Sequence, residues 1–259
     1  MATPTLRKDR VRLVTFVKRK AGMSFEDWSN YWLKTHGPIF LNTQIAKQNL
    51  IRYEQLHVNQ TAKQMFEAAG YKVPDFDGVV VFEAESYEKL VATITSEEWF
   101  REVIADGDKI FDQDGRSYGY YAFSTLLDKG KKAVPGPKFQ EGRAQLIVQM
   151  TKKEGLSRED FEKYWLEEHS KILTGFEPAK EGLSKHEQLH VHILESHPEV
   201  KPTEWDGIAL FEAESIEKIG SILSSEEYRA LAEPDQAKFL DKKRGFLPVD
   251  VAVLMDQDV

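Results

Sequence analysis

The chain has 259 residues, 41% hydrophobic and 30% charged, with a formal net charge of −8 and no cysteine. A chain of this length buries enough surface to fold without a disulfide or metal staple. The acidic balance argues against nucleic acid or an anionic membrane as partner, and the lack of cysteine removes thiolate chemistry and Cys-based zinc sites.

The N-terminus shows no signal-peptide pattern, and no apolar run approaches the ~20 residues of a membrane span. The expectation is a cytoplasmic protein. The first element, VRLVTFVK (11–18), is rich in β-branched residues and reads as a strand. Ser24, with Asp27 three residues on, opens a helix as a variant capping box. Trp28, Trp32 and His36 follow at i, i+4, i+8, and Gly37-Pro38 is expected to stop this helix. IRYEQLHV (51–58) is a second strand, and residues 61–70 read as a short helix that packs or covers a pocket. Asp77-Gly78 marks a turn into a third strand (78–86), and a helix from Ser86, re-capped at Ser96, leads to a last strand at 118–127.

The same order then repeats. A shift of 133 residues aligns GMSFEDWSNYWLKTHG (22–37) with GLSREDFEKYWLEEHS (155–170), and YEQLHV (53–58) with HEQLHV (186–191). A shift of 129 aligns FDGVVVFEAES (76–86) with WDGIALFEAES (205–215). The organisation is a first repeat at 8–127, a Lys/Gly/Pro-rich linker at 128–142 and a second repeat at 143–256. Each repeat reads β-α-β-β-α-β, a ferredoxin-like unit of the α+β class. The strands are apolar on both faces, so the two bare sheet faces are expected to pack together and enclose a ligand space.

The helix Ser24-x-x-Asp27-Trp28-x-x-Tyr31-Trp32 running into His36-Gly37-Pro38, together with the strand YEQLHV, resembles the EthD-like family of the dimeric α+β barrel superfamily. The resemblance covers both repeats and is similar to tandem members of fungal polyketide pathways. It implies an intramolecular dimeric α+β barrel with a cofactor-free pocket for small hydrophobic or aromatic molecules. Among relatives it implies dehydratases, decarboxylases and cyclases.

Strand alternation puts Tyr53, Gln55 and His57 on one side, and His186, Gln188, His190 and His192 on one side of the matching strand. The apolar side is expected to meet the helices and the polar side to face the space between the sheets. His57 and His190 are then candidate acid/base groups, with Gln55 and Gln188 orienting a substrate oxygen. The alternative is a hydrogen-bonded polar layer. His36 and His169 end the aromatic stripes, where a helix C-terminus favours the imidazolium form. The resemblance favours His36 as a cationic general acid. His169 is followed by Ser170-Lys171, which puts the second repeat's activity in doubt, and His186 replaces Tyr53, so one dominant site is expected, with the other half mainly as wall.

Trp32 and Phe16 are candidate pocket walls, joined by Tyr120, Tyr121 and Phe123 if they point inward. His186, His190 and His192 raise a metal reading, and the superfamily a haem reading. Both are ranked low, and no metal or other cofactor is expected. Glu83 and Glu212 read as solvated strand ends or partners for Lys/Arg. No phosphate-binding loop, G-x-S-x-G elbow or H-E-x-x-H motif occurs.

The leading expectation is a lyase or cyclase acting on a small hydrophobic molecule, with His57 as base, His36 as acid, and Tyr53 and Gln55 polarising a carbonyl. A non-catalytic binding barrel and an EthD-type oxidoreductase are the alternatives. No nucleic acid or membrane partner is expected. A monomer suffices, and a homodimer is compatible.

Overall fold

The computed structural model describes residues 4–192 and 203–258. Eight antiparallel strands form one closed barrel: β1 (Val11–Val17), β2 (Leu50–Val58), β3 (Gly78–Ala84), β4 (Ser117–Asp128), β5 (Phe139–Lys152), β6 (Lys185–His192), β7 (Gly207–Ala213) and β8 (Leu240–Asp256). Around the barrel the order is β1-β3-β2-β8-β5-β7-β6-β4. Each repeat supplies a four-stranded ferredoxin-like sheet, and the edges join through β2–β8 and β4–β6. Closure leaves neither sheet with a free edge. Of the expected linker, its first residue, Asp128, ends β4 and its last four, from Phe139, begin β5.

Alternation along the strands sorts the side chains into two layers. All eight strands feed one apolar cluster, including Val14, Leu56, Val81, Phe123, Ile147, Leu189, Leu210 and Val251, which is the barrel interior. One end of this interior is charged: Arg12 pairs with Glu83 (2.8 Å) and Glu187 (2.7 Å), all buried. Glu83 and Glu212 are therefore buried arginine partners, the latter of Arg143 at 2.8 Å.

This sorting reverses the expected facing of the strands. Leu56, Val58, Leu189 and Val191 point into the barrel, while Gln55, His57, Gln188 and His190 lie under the helices. The bare faces do meet, but their meeting place is a packed apolar core. The helix layer offers these glutamines and histidines carbonyls and hydroxyls, those of Trp32, Trp165 and Ser29 among them. Phe16, Tyr121 and Phe123 belong to that interior, and Tyr120 to the layer between sheet and helices.

Gly37-Pro38 does not end the first long helix. The helix runs Phe25–Tyr31, passes through a π-helical turn at Trp32–His36, and continues as Gly37–Asn42. Proline sits in the first turn of that last piece, where its missing N–H costs little. The second repeat does the same with Arg158–Tyr164, Trp165–His169 and Ser170–Gly175. Ser24, Ser86, Ser157, Ser215 and Ser225 each accept a backbone N–H as N-caps, and Ser96 accepts that of Trp99.

Candidate functional site

The repeated E-Q-L-H-V strand explains the π turn. A π turn spaces its backbone bonds one residue wider than an α-helix and often marks a functional site. Here the Gly37 N–H donates to the Trp32 carbonyl. Gln55 Nε2 donates to the same carbonyl at 3.1 Å, and Gln188 Nε2 to that of Trp165 at 3.0 Å. The strand glutamine is thus a strut beneath the turn that carries His36 or His169. Gly78 and Gly207 give the tryptophans room: a Cβ on either would lie 2.5 Å from the ring of Trp32 or Trp165.

His57 completes the strut. Its Nε2 donates to Gln55 Oε1 (3.2 Å), its Nδ1 accepts from Ser29 Oγ (2.7 Å), and its ring stacks on Trp32 with centroids 4.3 Å apart. Burial pushes its pKa down to about 3. With both nitrogens engaged, and in the lining of neither cavity described below, His57 packs as part of the strut. His190 packs on Trp165 at 4.6 Å, also held down to about 3 by burial, and neither ring nitrogen has a hydrogen-bond partner among the described residues. His186 stacks on Phe211, and His192 on Tyr87, so the three histidines of β6 each go to a different aromatic neighbour.

Two further clusters of titratable side chains gather at the π turns. His169 Nδ1 donates to Asp235 Oδ2 at 2.8 Å, while Tyr164 Oη (2.5 Å) and Lys238 Nζ (3.0 Å) donate to Oδ1. The first repeat matches it: His36 Nδ1 to Asp106 Oδ2 (2.9 Å), with Tyr31 and Lys109 each 2.8 Å from Oδ1. Burial pushes both carboxyls up, but the donated hydrogen bonds outweigh it and hold them below the usual carboxylate value. Burial likewise lowers the pKa of His36 and His169, and the aspartates only partly offset this. Both imidazoles are therefore neutral near pH 7. The carboxylate fixes the proton on Nδ1 and leaves Nε2 as the basic atom. His36 is neither at a helix C-terminus nor cationic, as the sequence reading had it.

Asp106 and Asp235 went unread. Their signal is the 129-residue shift continued twenty residues past the matched third strands, where Asp106-x-x-Lys109 meets Asp235-x-x-Lys238.

Each histidine opens on a cavity between the outer face of its sheet and the helices. The second repeat's cavity is about 530 Å³, lined among others by Trp165, His169, His186, Phe211, Tyr228 and Arg244. The first repeat's is about 190 Å³, lined by Trp32, His36, Tyr53, Phe82, Trp99 and Arg116 among others. Ligand sites usually fall at ~300–1,000 Å³, and the cavity of that size lies in the second repeat, whose activity the departure after His169 put in doubt. His186 presents its own Nε2 there, since Nδ1 donates to the Leu210 carbonyl at 3.0 Å, and burial brings its pKa to about 4. The helix Gln60–Ala68 of the first repeat contributes Ala62, Met65 and Phe66 to the wall of this second cavity, so the short helix covers a pocket across the repeat boundary. Of the expected site residues, Trp32, Tyr53 and His36 meet in the small cavity and His169 and His186 in the large one. Gln55, His57, Gln188, His190 and Phe16 line neither.

A closed eight-stranded barrel of two ferredoxin-like halves, each with its own pocket under the helices, defines a dimeric α+β barrel written in one chain. The EthD domain model matches residues 20–114 and 153–243, one match per repeat, and the chain belongs to the EthD family. No curated protein matches the sequence. Among solved structures, a protein of Lactobacillus acidophilus NCFM provisionally named a monooxygenase is 10% identical, with 95% of this chain and 97% of that one covered and a TM-score of 0.56. One from Fusobacterium nucleatum, named likewise, is 10% identical over 97% and 94% of the two chains, with a TM-score of 0.58. An anthrone oxidase-like protein is 10% identical over 97% and 95%, with a TM-score of 0.56. These likenesses are of fold.

Proposed function

We propose that the second repeat's cavity binds a small hydrophobic or aromatic, polyketide-like molecule and that His169 removes a proton from carbon next to its carbonyl. The observation that supports this is the part-buried Tyr164–Asp235–His169 array, whose His169 lines a largely apolar cavity of about 530 Å³. Asp235 anchors Nδ1–H and stabilises the imidazolium that forms when Nε2 takes the proton. Apolar walls exclude water and strengthen these interactions.

In the dehydration reading, Nε2 takes the α-proton, electrons move onto the carbonyl oxygen, and the imidazolium then delivers the proton to the β-hydroxyl. Water leaves, a carbon–carbon double bond forms, and His169 is neutral again. One imidazole thus serves as base and then acid, which replaces the expected His57/His36 pair. In an aldol closure the same proton goes to the new alkoxide.

A second reading is favoured by the fold likeness to an anthrone oxidase-like protein and to provisionally named monooxygenases. There the deprotonated carbon reacts with dioxygen, which takes up the electrons. Both readings share the proton abstraction. Anthrone in D₂O buffer under argon tests it: the wild type should speed deuterium uptake at the acidic carbon, and His169→Ala should not. Oxygen consumption on admitting air selects the second reading. No acceleration by folded wild type with anthrone or 2-tetralone would remove both.

A further inference from the structure

The chain has eleven arginines. Nine have a carboxylate within salt-bridge distance: Arg12 with Glu83 and Glu187, Arg143 with Glu212, Arg52 with Asp256, and the others similarly. The two without one among the described residues are Arg116 and Arg244, and each lines a cavity.

They occupy the same place in the two repeats. Arg244 sits opposite Met150 in the β5–β8 ladder. Ser117 sits opposite Phe16 in the β1–β4 ladder, so the next step puts Arg116 beside Val17. Val17 and Met150 are themselves matched by the 133-residue shift. The arginine pair is one residue out of step with the aspartate pair, which is why a fixed shift hides it. Both guanidinium groups are half-buried, and desolvation lowers each below the usual arginine value. Arg116 Nε is buried with no partner among the described residues, and its guanidinium lies 5.6 Å over the ring of Phe111. Arg244 spends Nη1 on Gln236 Oε1 (2.6 Å) and Nε on the Asp241 carbonyl at 3.5 Å. Nearby acids attract both from further off, Asp108 and Asp112 for Arg116, Glu233 and Asp241 for Arg244, with Glu233 itself engaged by Arg229 at 2.6 Å. Each arginine is near enough to its repeat's histidine to disfavour the imidazolium.

A half-buried cation without a counter-charge is costly to keep. Retaining one in both repeats, where the fold pairs every other arginine, calls for a partner supplied from outside. We infer that both cavities take a ligand bearing an anionic oxygen, with Arg244 and Arg116 as the groups that read it. The guanidinium fork suits a carboxylate or an ionised phenol held flat against it. This rests on the small-molecule reading above and narrows it to aromatic or polyketide-like acids.

Calorimetric titration with naphthalene-2-carboxylate and the neutral, similarly shaped naphthalene-2-carboxamide tests the inference without turnover. The wild type should bind the carboxylate at least tenfold more tightly. Arg116→Met with Arg244→Met should reduce the carboxylate to the affinity of the amide, and Arg244→Lys should keep part of the preference. Equal affinities in the wild type, no saturable binding of either probe, or a preference surviving in the folded double variant would overturn it. If the double variant does not fold, Arg244→Gln, which keeps donors and loses charge, is measured instead with the same criterion. A carboxylate preference without deuterium exchange would overturn proton abstraction and leave this inference standing. Exchange without a preference would do the reverse.

Discussion

The two repeats hold the same four polar groups around cavities of very different size. Tyrosine, aspartate, histidine and arginine recur in each, yet one cavity is about 530 Å³ and the other about 190 Å³. The wall explains this. At six matched positions the first repeat carries the larger side chain: Phe40 for Leu173, Tyr53 for His186, Val80 for Ala209, Trp99 for Tyr228, Val103 for Ala232 and Phe111 for Leu240. Gln236 for Gly107 and Met150 for Val17 run the other way. Duplication has kept the polar array and let the aromatic packing close around one copy of it. The lesson is that similarity to the family pattern after His36, the Gly-Pro pair, is a poor guide to which repeat has the roomier cavity.

The largest effect that bears on this difference comes from the histidines. His169→Ala should lower deuterium exchange about 10²–10⁴-fold, the usual worth of a positioned general base. His36→Ala should leave it within about threefold, because the smaller cavity contributes little, a factor worth under ~1 kcal/mol. Equal losses from the two folded variants would erase the proposed inequality of the repeats.

Asp235→Asn should come next, at on the order of 10²-fold, by loosening the imidazole and its proton placement. The pH profile separates this from simple structural damage. His169 works unprotonated, and burial lowers its pKa from 6.5, so the rate should rise with pH through a value below 6.5 and then level off. Asp235 raises that pKa, so removing it should move the acid limb to lower pH. A limb that stays in place would show that the aspartate does not act through His169.

Filling the second cavity gives a milder perturbation. Ala209→Val with Ala232→Val copies the first repeat's wall, Val80 and Val103, at those two points. We expect kcat/KM for the exchange probe to fall about tenfold, or ~1.4 kcal/mol, at a stability cost of about 1–3 kcal/mol from overpacking. Unchanged kinetics in the folded variant would mean that cavity size does not set the difference between repeats.

Much of this architecture was legible because the chain writes it twice. Paired serine caps, paired aromatic stripes and paired β-branched runs gave the ferredoxin-like order and the closed pairing of two halves. The facing of β2 and β6 was not legible. Both faces of these strands are buried, so alternation gives two sets without saying which is inside, and choosing the wrong set moves every side chain to the other layer. What decides the matter is the carbonyl that Trp32 and Trp165 each present to the strand glutamine at the π turn, and a π turn has no signature in a helix of ordinary propensity. His36 and His169 were readable from the ends of their stripes. Asp106 and Asp235 were readable in principle but lie beyond the strongly matching segment. Arg116 and Arg244 were hidden by a single-residue change in spacing that only strand register reveals.

The smallest effect concerns the histidines that hold the sites up. His57 and His190 have folded-state values of about 3 against 6.5 for a free imidazole, in both cases through burial. Between those limits the unfolded chain binds more protons than the folded one, so stability must fall as pH drops below about 6.5 and keep falling toward 3. The two differ in one respect: His57 has Ser29 and Gln55 on its nitrogens, and His190 has neither nitrogen bonded among the described residues. Replacing His190 by an apolar ring, His190→Phe, removes an unsatisfied buried group and a titrating site together. Replacing His57 in the same way strands Ser29 and the Gln55 carbonyl. We therefore expect His190→Phe to be neutral within about 1 kcal/mol at pH 7.5, and His57→Phe to cost about 1–3 kcal/mol there. Both should flatten the loss of stability between pH 6.5 and 4.5 in urea titrations. A pH dependence as steep as the wild type's in both variants would show that these imidazoles are not the groups that set it.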